Sequence, residues 1–233
     1  MPSKSRDEIV RRYTNIAAII DVLTRKQLSL LDPLTWDDRN DRHFMNLYQQ
    51  HVGAKKVYAA CCTLSDETYH HWRVFGGFQI GAYLEFDRGR LESHLSALQK
   101  SHELRFDVVR YYTLEKIEER KIGPSDLPFA KRWGFQAEKE YRIIANGDNE
   151  EQTSYSIPVP VDLIGRVVVN PWLPQSVYDS LRDVLRKIEG CEKLRVAKSR
   201  LIDSTRWKVA GIKIIAGEKR KRYARRKKEK VRA

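Results

Sequence analysis

Three stretches of the chain carry side chains whose types and spacing could do chemistry. In AEKEYRII (residues 137–144), Glu138, Glu140 and Arg142 stand at alternate positions. On a β-strand all three point to one face. Two acids and a guanidinium projecting together are costly to bury unless they pair or bind something. A solvated face with a weak Glu140–Arg142 pair would explain the same residues without function. The functional reading is favoured because Ile143 continues into a core-like run while the acidic face stays charged.

The second stretch, YHHWRVFGGFQIGAYLEF (residues 69–86), puts aromatics, two histidines and an arginine ahead of glycines. Glycines let backbone approach a ligand closely, and Trp72 or Phe75 could stack on a flat ring. GGFQIG precedes a strand instead of following one, so it is no dinucleotide fingerprint. His70 and His71 could be general bases, but neighbours on a helix diverge by about 100°, so at most one faces a site. The third stretch, WDDRNDRH (residues 36–43), has three carboxylates and an amide but lacks the glycine and distal glutamate of a calcium loop. Asp37 or Asp38 is better read as a helix cap. Asn40 and Asp41 are left as ligand contacts at a loop mouth. A metal-dependent nuclease on Asp37, Asp38 and Asp41 is the weaker alternative, and no metal is assigned.

Elements must hold these groups in place. Thr14 or Asn15 caps a helix carrying Ile16, Ile19, Ile20 and Leu23, followed by a short strand in KQLSLLDP. Asp38 to Val52 reads as a helix and KVYAACCTL as a buried strand. SDET caps a short helix bearing Tyr69, Trp72 and Phe75, and AYLEFD is a strand. Leu91 to Lys100 is a helix, Leu104 to Tyr112 a strand, and Leu114 to Arg120 a helix. EKEYRIIANG from Glu138, Ser154 to Val161 and Arg166 to Val169 are strands. Pro174 to Ile188 is an amphipathic helix ended by Gly190. The elements mix without strict alternation, so the expectation is an α+β fold.

The chain has 233 residues and a net charge of +13. Its aromatic content excludes disorder throughout. No window is apolar enough to span a membrane, and no apolar run follows the charged N-terminus as a signal peptide requires. Three cysteines, two adjacent in an apolar run, read as reduced thiols of a cytoplasmic protein. Residues 218–233 hold ten Lys/Arg and two Glu, a net of +8, which leaves +5 for residues 1–217. The expected division is therefore a globular domain (1–217) and a basic C-terminal tail (218–233). Such a tail suits a polyanion, with Lys219, Arg220, Lys221, Arg222, Arg225, Arg226, Lys227 and Lys228 as contacts to nucleic acid.

RYTNIAAIIDVLTRKQLSLLDPLTWDDRND, then CCTLSDETYHHWRVFGG and GAYLEFD, then KRWGFQAEKEYRII and VVVNPWLP, together resemble the bacterial family called domain of unknown function 2971. The resemblance runs from about Arg12 to Trp207. The opening block and the Glu-x-Glu of a late strand are also similar to those of ADP-ribosyltransferases. That resemblance implies a single mixed domain of split, antiparallel-rich sheets flanked by helices. It implies NAD as substrate and ADP-ribose transfer to a macromolecular acceptor such as nucleic acid, in a toxin or phage-defence setting with an antitoxin partner. It makes Glu140 the carboxylate beside the ribose and Glu138 the group that orients or deprotonates the acceptor. Arg12 would hold a ribose or phosphate with Tyr13 packed beside it, and Trp72 or Tyr69 would stack on nicotinamide. No Ser-Thr-Ser motif is present; Thr63 and Ser65 are its nearest substitutes. The alternative from another class is a non-enzymatic RNA- or DNA-binding module.

Overall fold

The computed structural model describes residues 8–76, 80–119 and 122–232, with side chains as far as residue 218. Strand β1 (Ile9–Asn15) leads into helix α1 (Ile16–Arg25), which starts where the Asn15 side chain accepts the Ala18 N–H at 2.9 Å. α1 buries Ile19, Val22 and Leu23, and the left-handed Lys26 (φ 56°) turns the chain into β2 (Gln27–Leu31). The Asp38 carboxylate caps α2 (Arg39–Val52), accepting from the Asn40 and Asp41 amides, and the left-handed Gly53 ends it. Next come β3 (Lys56–Thr63), α3 (Tyr69–Val74) capped by Thr68, β4 (Gly81–Asp87) and α4 (Arg88–Leu98) capped by Asp87.

The expected strand from Leu104 to Tyr112 is two. β5 (Leu104–Val108) stays in the large sheet, whereas β6 (Arg110–Tyr112) leaves it to pair in parallel with β7 (Ala130–Arg132). Between them lies α5 (Leu114–Glu119), and Arg120 falls outside the described residues. A 3-10 turn (Trp133–Glu138) and the left-handed Lys139 (φ 43°) precede β8 (Glu140–Gly147). Glu138 is therefore not on the strand that holds Glu140, as the alternation had suggested; the chain bends between them. β9 (Ser154–Pro158), β10 (Ile164–Val169), α6 (Gln175–Arg186), β11 (Val196–Lys198) and α7 (Thr205–Arg232) complete the order. Residues 217 and 218 both lie inside α7 without a break between them. The Lys and Arg side chains proposed as nucleic-acid contacts lie outside the described residues.

The large sheet runs β11-β10-β4-β1-β3-β2-β9, with β8 also on β3 and β5 on β8. Only the β10–β11 pair in it is parallel, so the fold is α+β with an antiparallel-rich sheet. β3 pairs along its length with β8. Its other edge meets β1 only at Arg11–Thr63 and β2 only at Leu31–Ala59. β1 and β2 thus splay apart along β3, and the fork between them opens the sheet. The main core gathers α1, α4 and the inward residues of β1, β3, β4, β8 and β10.

Candidate active site

The fork is the floor of a cleft of about 560 Å³, within the 300–1,000 Å³ range of small-ligand sites. β1 contributes Arg11, Arg12 and Tyr13; β3 contributes Cys61 and Thr63. Trp36, Asp37, Asp38 and Asp41 come from the α2 entry, His71, Val74 and Phe75 from α3 and its end, and Lys131, Phe135, Glu138 and Glu140 from the β7–β8 region. Arg12 donates through one Nη to the Cys61 carbonyl at 2.8 Å, inside the fork where that carbonyl stands between the two bridges to neighbouring strands. Its other N–H groups remain available for an anion or a hydroxyl.

Behind the wall sits a buried ionic cluster. Arg142, with no exposed surface, donates from Nε to Glu140 Oε1 (2.6 Å) and from Nη2 to Glu140 Oε2 (3.0 Å). It grips both carboxylate oxygens of Asp41 at 2.8 and 2.5 Å, donates to the Pro128 carbonyl at 2.7 Å, and lies over the Trp36 ring. Lys131 Nζ reaches Glu138 Oε2 at 2.7 Å, Glu140 Oε2 at 3.1 Å and Asp41 Oδ2 at 3.5 Å. Three carboxylates thus face two cations, a net of one negative charge at the cleft wall. Such pairing is what makes burial of the charges tolerable.

The two cleft glutamates differ. Burial would raise the Glu140 carboxyl, but the charge and hydrogen bonds of Arg142 and the charge of Lys131 outweigh it and hold it at about 2. Glu140 is ionised at neutral pH. Arg142 twice and Lys131 occupy three of its roughly four acceptor positions. Glu138 is raised above the ordinary value, because burial outweighs the attraction of Lys131. Its side chain is 12% exposed, and among the described residues its carboxylate meets one donor, Lys131. Its backbone is tied down separately: Thr63 Oγ1 donates to the Glu138 carbonyl at 2.5 Å and accepts the Ser65 N–H at 2.9 Å. Thr63 and Ser65 therefore position this corner.

His71, not His70, is buried and lines the cleft. Burial lowers its pKa, which leaves the ring neutral at pH 7. It stacks on Tyr13, with ring centroids 5.5 Å apart. Tyr13 in turn packs against Trp72 and Tyr83, and burial pushes its phenol up. Its hydroxyl has no hydrogen-bond partner among the described residues.

Of the residues singled out from sequence, Arg12, Tyr13, Glu138 and Glu140 come together in this cleft. Trp72 does not reach it. Its ring is wholly buried behind Tyr13, and its indole N–H donates to Glu67 at 2.7 Å, so it builds the wall from behind. Tyr69 is exposed, edge-on to Trp172 with Arg73 over its ring, and does not line the cleft. Asn40 lines a neighbouring cavity of about 280 Å³ instead, which shares Asp38, Asp41 and Lys131 with the cleft. Gly76 and Gly81 serve chain packing, a Cβ on Gly81 lying 1.5 Å from the Gly76 carbonyl oxygen, and Gly77 lies outside the described residues. Lys131 and Asp41 are the groups whose part in the cluster was not read from sequence. Lys131 sits on a three-residue strand too short for any periodicity, and Asp41 in WDDRNDRH reads as a ligand contact at a loop mouth, with nothing to pair it with Arg142.

No family model matches the chain, so the resemblance to domain of unknown function 2971 rests on the quoted motifs alone, and no curated protein matches it. Among solved structures, the fold is similar to that of Thermus sp. 2.9 DarT. The complex with ADP-ribosylated ssDNA is 11% identical over 85% of this chain and 97% of that one, with a TM-score of 0.44. The complex with NAD+ is 11% identical over 85% and 98%, with a TM-score of 0.41. The complex with carba-NAD+ is 11% identical over 84% and 98%, with a TM-score of 0.42.

Proposed function

We propose that the chain is an ADP-ribosyltransferase-type enzyme that binds NAD in the fork cleft and passes ADP-ribose to a macromolecular acceptor, with nucleic acid as the leading candidate. The observation that carries this reading is the meeting of Arg12 and Tyr13 from β1 with two carboxylates from the β7–β8 region in one cleft. One carboxylate is held ionised and the other has free acceptor positions.

The residues fit NAD chemically. Arg12 keeps donors free for a diphosphate or ribose, and the cleft has room for a ligand of this class. In the reaction the bond between ribose C1′ and the nicotinamide nitrogen breaks, and its electron pair leaves with neutral nicotinamide. C1′ then carries oxocarbenium character, and the fixed negative charge of Glu140 at the wall favours it. An acceptor X–H adds to C1′, forming C1′–X, and its proton passes to Glu138. Neutral His71 and the ring of Tyr13 floor the cleft without adding positive charge there. The toxin or phage-defence setting, a cytoplasmic location and an antitoxin partner are part of the same reading, through the family resemblance.

The test is incubation of the full chain with NAD labelled in the adenylate moiety and separate pools of single-stranded DNA, RNA and protein. Label should enter one pool, with release of free nicotinamide. Intact NAD and no labelled pool would reject the enzyme reading and leave the non-enzymatic nucleic-acid-binding module in its place.

A further inference from the structure

We propose that Lys131 is the positioning residue of this site: it holds the carboxylates of Glu138 and Glu140 together at the cleft wall and so governs the proton transfer from the acceptor. The inference rests on the transferase reading for its chemistry but on geometry for its substance.

Backbone alone does not bring the two glutamates together. Lys139 is left-handed and Glu138 ends a 3-10 turn, so the strand alternation that would align them is broken. Lys131 restores the alignment from another sheet. It stands on β7, paired in parallel with β6, and its ammonium bonds Glu138 Oε2 and Glu140 Oε2 at once. Asp41 Oδ2, 3.5 Å away, and the ring of Phe135, 4.8 Å from Nζ, fix the side chain from two further directions. An ammonium presents three N–H donors, and here three carboxylates surround it. It lines both the cleft and the adjoining cavity that holds Asn40.

The charged groups around Glu138 are few. Lys131 attracts its ionised form, as does Arg142 from farther off, whereas Glu140 opposes it. Asp41 acts through Lys131; among the described residues Tyr111 donates its hydroxyl proton to no carboxylate but accepts the Glu140 N–H, and neutral His71 meets Glu138 at its carbonyl and not at its carboxylate. Removing the Lys131 charge therefore leaves Glu138 with burial and Glu140 against ionisation. The carboxylate needed to take the acceptor's proton then forms only at higher pH.

Lys131→Met should shift the acidic limb of the turnover–pH profile upward by about 1–3 units, the usual effect of an opposite charge at this range. The dissociation constant for NAD should change less than about threefold, because Lys131 faces carboxylates and not the Arg12 side. Lys131→Arg, which keeps a cation, should return the limb toward wild type. The Glu138 carboxyl, followed by carbon NMR of protein labelled in glutamate, should titrate higher in Lys131→Met by a similar amount. This readout requires no turnover. If the wild-type chain leaves NAD intact, the transferase reading fails while the titration still decides the role of Lys131. An unshifted Glu138 titration, or an unchanged pH limb in an active enzyme, would overturn the proposal.

Should Lys131→Met fail to fold, Glu138→Gln and the double variant Lys131→Met/Glu138→Gln decide the matter. The double variant loses one charge of each sign and keeps the net charge of the cluster. If Lys131 acts through Glu138, the two should turn over NAD within about threefold of each other. A further tenfold loss in the double variant would mean that Lys131 acts on something else.

Discussion

Removing the charge of Glu140 has two consequences that must be separated, because the carboxylate is buried and bonded as well as facing the cleft. Glu140→Gln keeps size but loses the acceptor that Arg142 holds at 2.6 Å. Breaking a buried pair outright costs about 3–5 kcal/mol; here Asp41 still grips the guanidinium, so the loss should fall below that range. The variant should therefore melt lower and also turn over NAD 10²–10³-fold more slowly. Glu138→Gln is the cleaner probe. It can still accept from Lys131, it relieves a net negative cluster, and it should lower transfer at least 10²-fold with melting temperature and NAD affinity nearly unchanged. Wild-type transfer by Glu138→Gln would remove this residue from the chemistry. Glu140 also gives the fold an acid sensitivity. Its carboxyl is held at about 2 against the ordinary 4.5, so as pH falls from 4.5 toward 2 the unfolded chain takes up a proton that the native chain refuses. Stability present above 4.5 is lost across that window, on the order of 3 kcal/mol. Urea unfolding between pH 5 and 3 should show more than half of this loss in the wild type and much less of it in Glu140→Gln. The Glu140–Arg142 pair itself was readable from the i, i+2 spacing. Its burial was not, because the Asp41 partner is 101 residues away and only the fold brings it near.

At the scale of elements, the cleft exists because two strands share one edge of β3 without filling it. α1 joins the end of β1 to the start of β2 and packs Ile19, Val22 and Leu23 into the main core. The helices and most strands could be read from caps and periodicity: Asn15, Asp38 and Thr68 each cap where a cap was expected. β1 is not legible in the sequence because IVRRYTN has no clean alternation, its centre being two arginines that serve the cleft and an ion pair. β6 and β7 are three residues each and carry no pattern at all. The start of β4 depends on a different feature, the contact of Gly81 with the Gly76 carbonyl. A Cβ there would stand 1.5 Å from that oxygen, so Gly81→Ala must push the end of α3 away from β4. It should cost about 1–3 kcal/mol or more and weaken NAD binding by displacing Phe75 and His71. Gly134→Ala, where an added Cβ meets nothing within 4 Å, is the control and should melt as the wild type does. Equal melting temperatures for the two variants would show that the β4 entry yields easily.

Along the whole chain, the excess positive charge and the candidate chemistry fall in different segments. The cleft wall carries one net negative charge, while +8 of the total +13 lies in residues 218–233, at the far end of a helix whose described side chains from residue 205 to 216 are all exposed. The carboxylates of the cleft wall disfavour a polyanion beside the NAD diphosphate that Arg12 would hold, so an enzyme that acts on a nucleic acid gains from a separate basic element that holds the backbone while one reactive group approaches the acids. This division makes a prediction that binding alone would not. Deleting residues 218–233 should leave the melting temperature nearly unchanged, because a block of like charge with one aromatic, Tyr223, brings no apolar face to bury. It should also leave release of nicotinamide from NAD in the absence of acceptor unchanged. Affinity for single-stranded DNA or RNA should fall sharply. In the full chain that affinity should drop roughly 10³-fold between 50 and 200 mM salt if about six phosphates are neutralised, and the truncated chain should show a much shallower slope. Transfer to a nucleic-acid acceptor should then fall at low acceptor concentration and recover as the concentration rises, since the tail supplies encounter and not chemistry. A truncated chain that keeps its salt slope would assign polyanion binding to the globular part, and one that no longer cleaves NAD would place the tail in the active site itself.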